Sequence, residues 1–517
     1  MKKMLSLILA LVLVLGMLPA VHAAEVIASG HGWNVDWVLT DDGTLTISGN
    51  GYMDAYTEIN TPWNRYMDQV RSVVINEGVL SIDEGAFSLF ENLTSITIPE
   101  GLRRIGRSAL ASCANLTSIH IPASVESIGY AALAGCGLTA FTVAEDNPNY
   151  TTIDGVLVNK EKTELIQVPG GRTGSYEIPE YIQNFYLYTF DGCNKLTEVI
   201  IPDHFTELPE AVLYGLESLV NVKLPAALTE IPQAAFYNCA KLASIEIPDG
   251  VTAIGMDAFF GCASLETVVI PASVESLDTQ TFANCSALTN VVFRGSAPMI
   301  DSDSGIFCED TLTVWYPAGD ESWIAEIMQD YEGNVIWKSY EVLPFGDVLP
   351  FHFFSEGVAW AVEQGITSGT SDTTFSPAAS CNRAQAVTFL WAAAGKPEPT
   401  LTEHSFVDVP KGSFCEKAVL WAVEKGITTG TDETHFSPLT VCNRATIVTF
   451  LYKAFNSPEV NAAENPFEDV PDESWYTVPA LWAKEQGITS GTDATHFSPA
   501  SICNRAQIVT FLYGAYN

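Results

Sequence analysis

Three arginines, Arg383, Arg444 and Arg505, recur every 61 residues inside the strings CNRAQ, CNRAT and CNRAQ. The chain around them holds 62 acidic residues against 24 Lys and Arg, a formal net charge of −38. In each string an asparagine (Asn382, Asn443, Asn504) is a strong helix N-cap, which puts the arginine at the first helical position. A cation is disfavoured there by ~0.3–1 kcal/mol, because the helix dipole is positive at that end. The same end points N–H groups outward and suits an anion. With the nearby glycines Gly369, Gly430 and Gly491, each arginine would line a compact pocket for a carboxylate or phosphate. A second reading stays open, in which Asp347, Asp408 and Asp469 of the F-x-D-V starts neutralise the arginines through internal salt bridges. Gln385 and Gln507 complete capping boxes with their asparagines. Thr446 leaves the middle box incomplete, which makes the middle copy the weakest of the three expected sites.

The arginines belong to a larger repeat. Each block opens on F-x-D-V and continues into a first helix carrying Trp360, Trp421 or Trp482. That helix is expected to stop at Gly365, Gly426 or Gly487, a left-handed C-cap. A loop with a second glycine and a Ser-Pro follows, and the second helix starts at the asparagine of C-N-R-A. Acidic linkers, GKPEPTLTEHS and NSPEVNAAENP, set the block limits at 341–404, 405–464 and 465–517.

Upstream, a different unit of 23 residues recurs, as in LASIEIPDGVTAIGMDAFFGCAS from Leu242. Its L-x-x-I-x-I part alternates apolar and polar residues, as a strand with one buried face does. Proline ends the strand because it cannot donate to a sheet ladder. One unit cannot bury its own apolar side, whereas stacked units can. The reading is an α/β leucine-rich-repeat solenoid over 70–340, right-handed, of about nine coils, with a parallel β-sheet on one face and a cap at its C-terminal end. Cys113, Cys136, Cys193, Cys239, Cys262 and Cys285 share one frame position, where other units place Phe90 and Leu216. A slot that accepts Cys, Phe or Leu is a buried apolar one, so a ladder of free thiols is expected in preference to disulfides or metal. The frame breaks near 144–174, which reads as an inserted β-hairpin around NKEKT. Tyr181, Tyr186 and Tyr188 fall off the core positions in the rejoining unit and are candidate partner contacts. Residues 24–69 read as a β-hairpin capping the open end of the stack.

These motifs resemble two known families. The C-terminal blocks resemble S-layer homology domains, whose signature runs F-x-D-V, G-I-x-x-G-x-x-x-x-F-x-P and T-R-A-E. The resemblance implies an all-α pseudo-threefold helical bundle that holds surface proteins non-covalently to secondary cell-wall polymers, anionic and often pyruvylated. It assigns the glycan contact to Arg383, Arg444 and Arg505 and to Gly369, Gly430 and Gly491. This chain writes N-R-A-Q or N-R-A-T, which keeps the cap and loses the acid. The 23-residue unit resembles BspA-type leucine-rich repeats of bacterial surface proteins, a family associated with adhesion through protein or glycan binding. A structural coat component whose solenoid self-associates is the competing expectation.

The remaining sequence narrows the function class. Residues 1–23 read as a secretory signal, with Lys2 and Lys3 before an apolar stretch and Val21-His22-Ala23 at the cleavage site. Export to the cell wall or surface is therefore expected, without a membrane span. The acidic balance argues against nucleic acid, which demands a basic footprint. No G-x-S-x-G, H-E-x-x-H or P-loop occurs, so no enzyme activity, cofactor or metal is expected. The DSDSG at Asp301 departs from an EF-hand loop in its glycine position and lacks the closing Glu.

Overall fold

The computed structural model describes residues 24–32, 34–53, 61–300, 304–307, 311–460 and 465–517. The signal reading and the start of the DSDSG string lie outside the described residues. Two compact units divide the chain, one ending at Lys338 and the other beginning at Ser339.

The first unit is a parallel-sheet solenoid of about eleven turns. The excess over nine comes from both ends. Thr44–Gly49 and Thr311–Pro317 lie outside the L-x-x-I-x-I-P frame, yet each adds a parallel rung. Neighbouring rungs pair one repeat apart, Val268 with Val291 and Ile270 with Phe293, so the apolar face stays in register. A second ladder of two-residue strands runs beside the first, pairing Ser81–Ile82, Arg104–Ile105 and Ser127–Ile128 in parallel. Between the ladders Phe236, Phe259 and Phe282 stack face to face at 5.1 and 5.2 Å. The cysteine slot is buried throughout, and its thiols are free. Cys113, Cys136, Cys239, Cys262 and Cys285 each donate to the carbonyl 26 residues earlier, at 3.1–3.2 Å. A free cysteine thus acts as a small hydrophobe with one weak donor.

The caps are more elaborate than hairpins. The N-terminal one has three strands, Val26–His31, Val35–Thr40 and Thr44–Gly49, the last of them parallel to Ser72–Ile75. The insertion is also three-stranded, Tyr150–Ile153, Val156–Asn159 and Glu164–Gln167, turning first at Asp154-Gly155. Asp154 and Gly155 both have positive φ, so this D-G pair forms a tight hairpin turn that the NKEKT reading passed over. Glu164–Gln167 then pairs in parallel with Asn184–Phe185 and wedges into the second ladder.

The second unit repeats a helix–loop–helix three times. The helices are Ser355–Glu363 with Arg383–Ala393, Glu416–Glu424 with Arg444–Ala454, and Thr477–Glu485 with Arg505–Tyr516. Their shared core includes Val358, Ala418, Ala480, Val387, Val448 and Val509, all fully buried. Main chain at the three cysteines closes a ring: the Cys442 amide donates to Cys381, Cys503 to Cys442, and Cys381 to Cys503, at 2.9, 2.9 and 3.2 Å. This cyclic pattern is the pseudo-threefold arrangement that the resemblance implies. Among the described residues no helix is long and apolar enough to cross a membrane.

Candidate functional site: three arginine seats between blocks

Each arginine begins its helix as expected. Asn382 and Asn504 close complete capping boxes with Gln385 and Gln507, whereas Asn443 accepts from the Thr446 amide and hydroxyl and its box stays open. The helix start is not open, however. The Arg383 and Ala384 amides donate to the carbonyls of Thr440 and Pro438 in the following block, at 2.9 and 3.0 Å. Arg444 and Ala445 do the same to Ser501 and Pro499, and Arg505 and Ala506 to Ala379 and Pro377. The first three N–H groups of each helix are thereby used internally, and the dipole is not presented to a ligand.

The side chains cross between blocks in the same direction. Arg383 Nε donates to the Phe436 carbonyl at 2.8 Å and its Nη2 to Thr428 Oγ1 at 3.2 Å. Arg444 reaches Phe497 and Thr489 at 2.8 and 3.2 Å, and Arg505 reaches Phe375 and Thr367 at 2.9 and 3.4 Å. Each guanidinium also lies over two rings of the receiving block: Phe436 and Phe450, Phe497 and Phe511, Phe375 and Phe389, at 4.7–5.5 Å. The arginines are only 8%, 3% and 5% exposed. Burial pulls all three guanidinium pKa values down, while nearby Asp408, Asp469 and Asp347 oppose it. The carbonyls and ring faces supply the negative potential that offsets a cation at the positive end of a helix.

The salt-bridge reading does not hold among the described residues. Asp408 instead accepts the Phe436 and Ser437 amides at 2.9 and 2.8 Å, and Asp347 and Asp469 hold the equivalent pairs. Burial pushes the Asp408 carboxyl up, but these amide bonds outweigh it and the net shift is downward. Each aspartate therefore fixes the carbonyl that receives the arginine. The glycines act on the same loop. Gly430 has φ +92°, and a Cβ there would lie 2.5 Å from Phe406 and 2.6 Å from two carbonyls. Its amide donates to Thr428 Oγ1, the acceptor of Arg383. Arg383 thus meets Gly430, Arg444 meets Gly491 and Arg505 meets Gly369, so each seat is built from two blocks.

The chemistry left over is narrow and repeated. The Nη1 of every arginine has no protein acceptor among the described residues, so a fixed cation offers one free donor corner beside a rigid loop. The loops differ at their tips. His435 and His496 pair with Asp432 and Asp493 at 3.0 and 2.9 Å, while Ser371 and Thr374 stand there in the first block. The Thr434 amide, then the His435 ring, hold the Asp432 carboxyl down to about 2. Reading the sequence block by block missed Thr367, Thr428 and Thr489 and the role of Phe375, Phe436 and Phe497. Their signal was present in the identical 61-residue spacing of T-x-G and F-S-P. Tyr181, Tyr186 and Tyr188 are 51%, 48% and 41% exposed; Tyr186 donates to Glu164, and Tyr188 meets Tyr130 edge-on. No group of three metal-ligating side chains occurs among the described residues.

Comparison with known proteins supplies the family context for this ring. A BspA type leucine rich repeat region, in six copies, matches residues 54–155 and 172–304. An S-layer homology domain matches 344–387 and 405–447. The chain carries a BspA-type leucine-rich-repeat region and two S-layer homology domains. An S-layer protein of Bacillus licheniformis and S-layer protein EA1 of Bacillus anthracis are each 29% identical to it over 126 residues, 24% of this chain. That stretch spans only 13% and 14% of those relatives' own length. A leucine rich cell surface protein from Faecalibacterium prausnitzii is similar in structure at 25% identity and TM-score 0.41, over 53% of this chain and 97% of that one. The S-layer homology domains and S-layer relatives point to the cell surface or wall.

Proposed function

We propose that this is a surface protein held non-covalently to a secondary cell-wall polymer by three S-layer homology repeats, the block at 465–517 being the third. The solenoid is then displayed outward to bind a protein or glycan, and the role is binding, not catalysis. The observation that carries the anchor is the free Nη1 corner at three equivalent inter-block seats, built by Arg383, Arg444 and Arg505. A polymer with regularly spaced acidic groups can engage several such corners, and linked weak contacts gain strongly in avidity. Screening over ~8 Å in physiological salt keeps the distant acidic surface from opposing an anion seated there.

The test is co-sedimentation of the full chain with isolated cell walls, before and after removal of the secondary polymer. Retention is expected only on intact walls, and equal retention on stripped walls would sink the anchor. A second reading, a coat component whose solenoid self-associates, is favoured by the names of the two curated relatives. Concentration-dependent assembly of the chain without any wall present would support it.

A further inference from the structure

The inserted strands leave a defect in the stack. In an ordinary coil three alternate amides of the Cys-side turn cross to the next coil, and the first two of them matter here. Ser108 and Leu110 donate to Tyr130 and Ala132, and Ala234 and Phe236 donate to Met256 and Ala258, at 2.8–3.0 Å. The equivalent amides in the next coil are those of Ala131 and Leu133. Neither has an acceptor among the described residues, although Leu133 is buried. The coil that should receive them, Tyr186–Phe190, is held off by Glu164–Gln167. The Ile128 amide turns to the Tyr150 hydroxyl at 2.9 Å. On the far wall Gln167 Nε2 and the Val168 amide already occupy the Thr189 carbonyl, and the backbone hydrogen bonding between the two coils resumes where Gly135 donates to Asp191. Between them lies a cleft of about 200 Å³, lined by Leu133, Leu157, Ile166 and Leu187, with Tyr130 and Tyr186 at its sides.

We propose that this cleft is a recognition slot for an extended peptide segment of a protein partner. The missing element is a backbone. In the coils at 85–87, 108–110, 211–213, 234–236 and 257–259 the equivalent donors are met by carbonyls two residues apart, which is what an extended chain presents along one edge. The apolar walls enclose room for about one large side chain, on the scale of a cavity that holds a benzene-sized group. A sugar ring would need hydroxyl partners on several sides, and these walls are mostly hydrocarbon. Two donors in a row, an apolar hole and flanking tyrosines fit a segment that inserts one leucine-sized residue and pairs its carbonyls with Ala131 and Leu133. The proposal deepens the reading of the solenoid as the partner-binding part and is independent of wall retention. Failure of one assay leaves the other intact.

The test uses hydrogen exchange read by mass spectrometry on the full chain, with a capped pentapeptide of alternating leucine and serine as probe. In the free protein the amides of 131 and 133 are expected to exchange at least ~10-fold faster than those of 108 and 110, and saturating peptide should remove that difference. Leu187→Trp fills the slot from the opposite wall and should weaken peptide binding at least ~10-fold while leaving exchange at 108, 110, 234 and 236 unchanged. Slow exchange at 131 and 133 without peptide, or no protection with it, overturns the proposal on the wild-type chain alone. Protection by N-acetylglucosamine but not by the peptide overturns it in favour of a sugar site.

Discussion

Arg505 donates through Nε to the carbonyl of Phe375, 130 residues earlier, at 2.9 Å. The contact is the same one that Arg383 makes to Phe436 and Arg444 to Phe497, so the last block hands its arginine back to the first. Trp360 meets Tyr513 and Tyr516 at 6.0 Å across the same joint. Arg505→Ala removes two charge-assisted bonds and two ring contacts and strands a buried carbonyl, a loss of about 2–4 kcal/mol. Arg505→Lys should recover less than half, because one ammonium cannot supply the Nε–Nη2 fork. Chemical denaturation of the second unit's transition checks both. Near-zero loss for the alanine variant would show that the ring is held elsewhere.

Thr446 donates to Asn443 Oδ1 but cannot reach back to the Asn443 amide as Gln385 and Gln507 do to theirs. Thr446→Gln should complete the middle box and add roughly 0.5–1 kcal/mol. The reverse changes, Gln385→Thr and Gln507→Thr, should cost about as much. Equilibrium unfolding of the three variants compares them directly.

The thiols offer a test of the solenoid core. Burial lifts Cys239 to about 12 and Cys503 to about 12, so almost no thiolate exists at neutral pH. The native chain should show no thiol reaction with iodoacetamide at Cys113, Cys136, Cys193, Cys239, Cys262 or Cys285 until it is unfolded. Mass mapping of alkylated peptides from native and denatured samples provides the readout, and disulfide-linked peptides among these six would contradict a ladder of free cysteines.

His496 gives the third loop a pH dependence. Its hydrogen bond to Asp493, then that carboxylate's charge, raises the imidazole pKa above its ordinary 6.5. A raised folded-state value means the pair stabilises fully below about 6.5 and fades as pH climbs through the folded value. His496→Ala should therefore lower the melting temperature at pH about 5.5 and leave it unchanged near pH 9. Both groups are solvent-exposed, so the shift is small, and the first loop, with Thr374 at this place, should show none.

How much of this was readable beforehand depends on the range of each interaction. The 23-residue frame announced the solenoid because burial of Leu265, Val268 and Ile270 is a local periodic demand. Asn382 with Gln385 was equally legible, since a capping box spans four residues. The seat of Arg383 was not, because its acceptors lie 45 and 53 residues away and belong to the next block. Reading each block by itself paired Arg383 with Gly369, whereas its actual neighbour is the loop of Gly430. The wedge of Glu164–Gln167 escaped for the same reason. The break in the frame was visible, but not which rung the inserted strand would take.

The hydrogen-bonded ring of Cys381, Cys442 and Cys503 has no privileged starting point, because every block gives to the next and receives from the one before. Linkage between blocks is set by short acidic connectors, while specificity is set by the ring. Such a unit is indifferent to where the polypeptide is cut and rejoined: a circular permutant opened between 404 and 405 would assemble the same three seats. By the same logic, a block freed from one molecule could complete the ring of another.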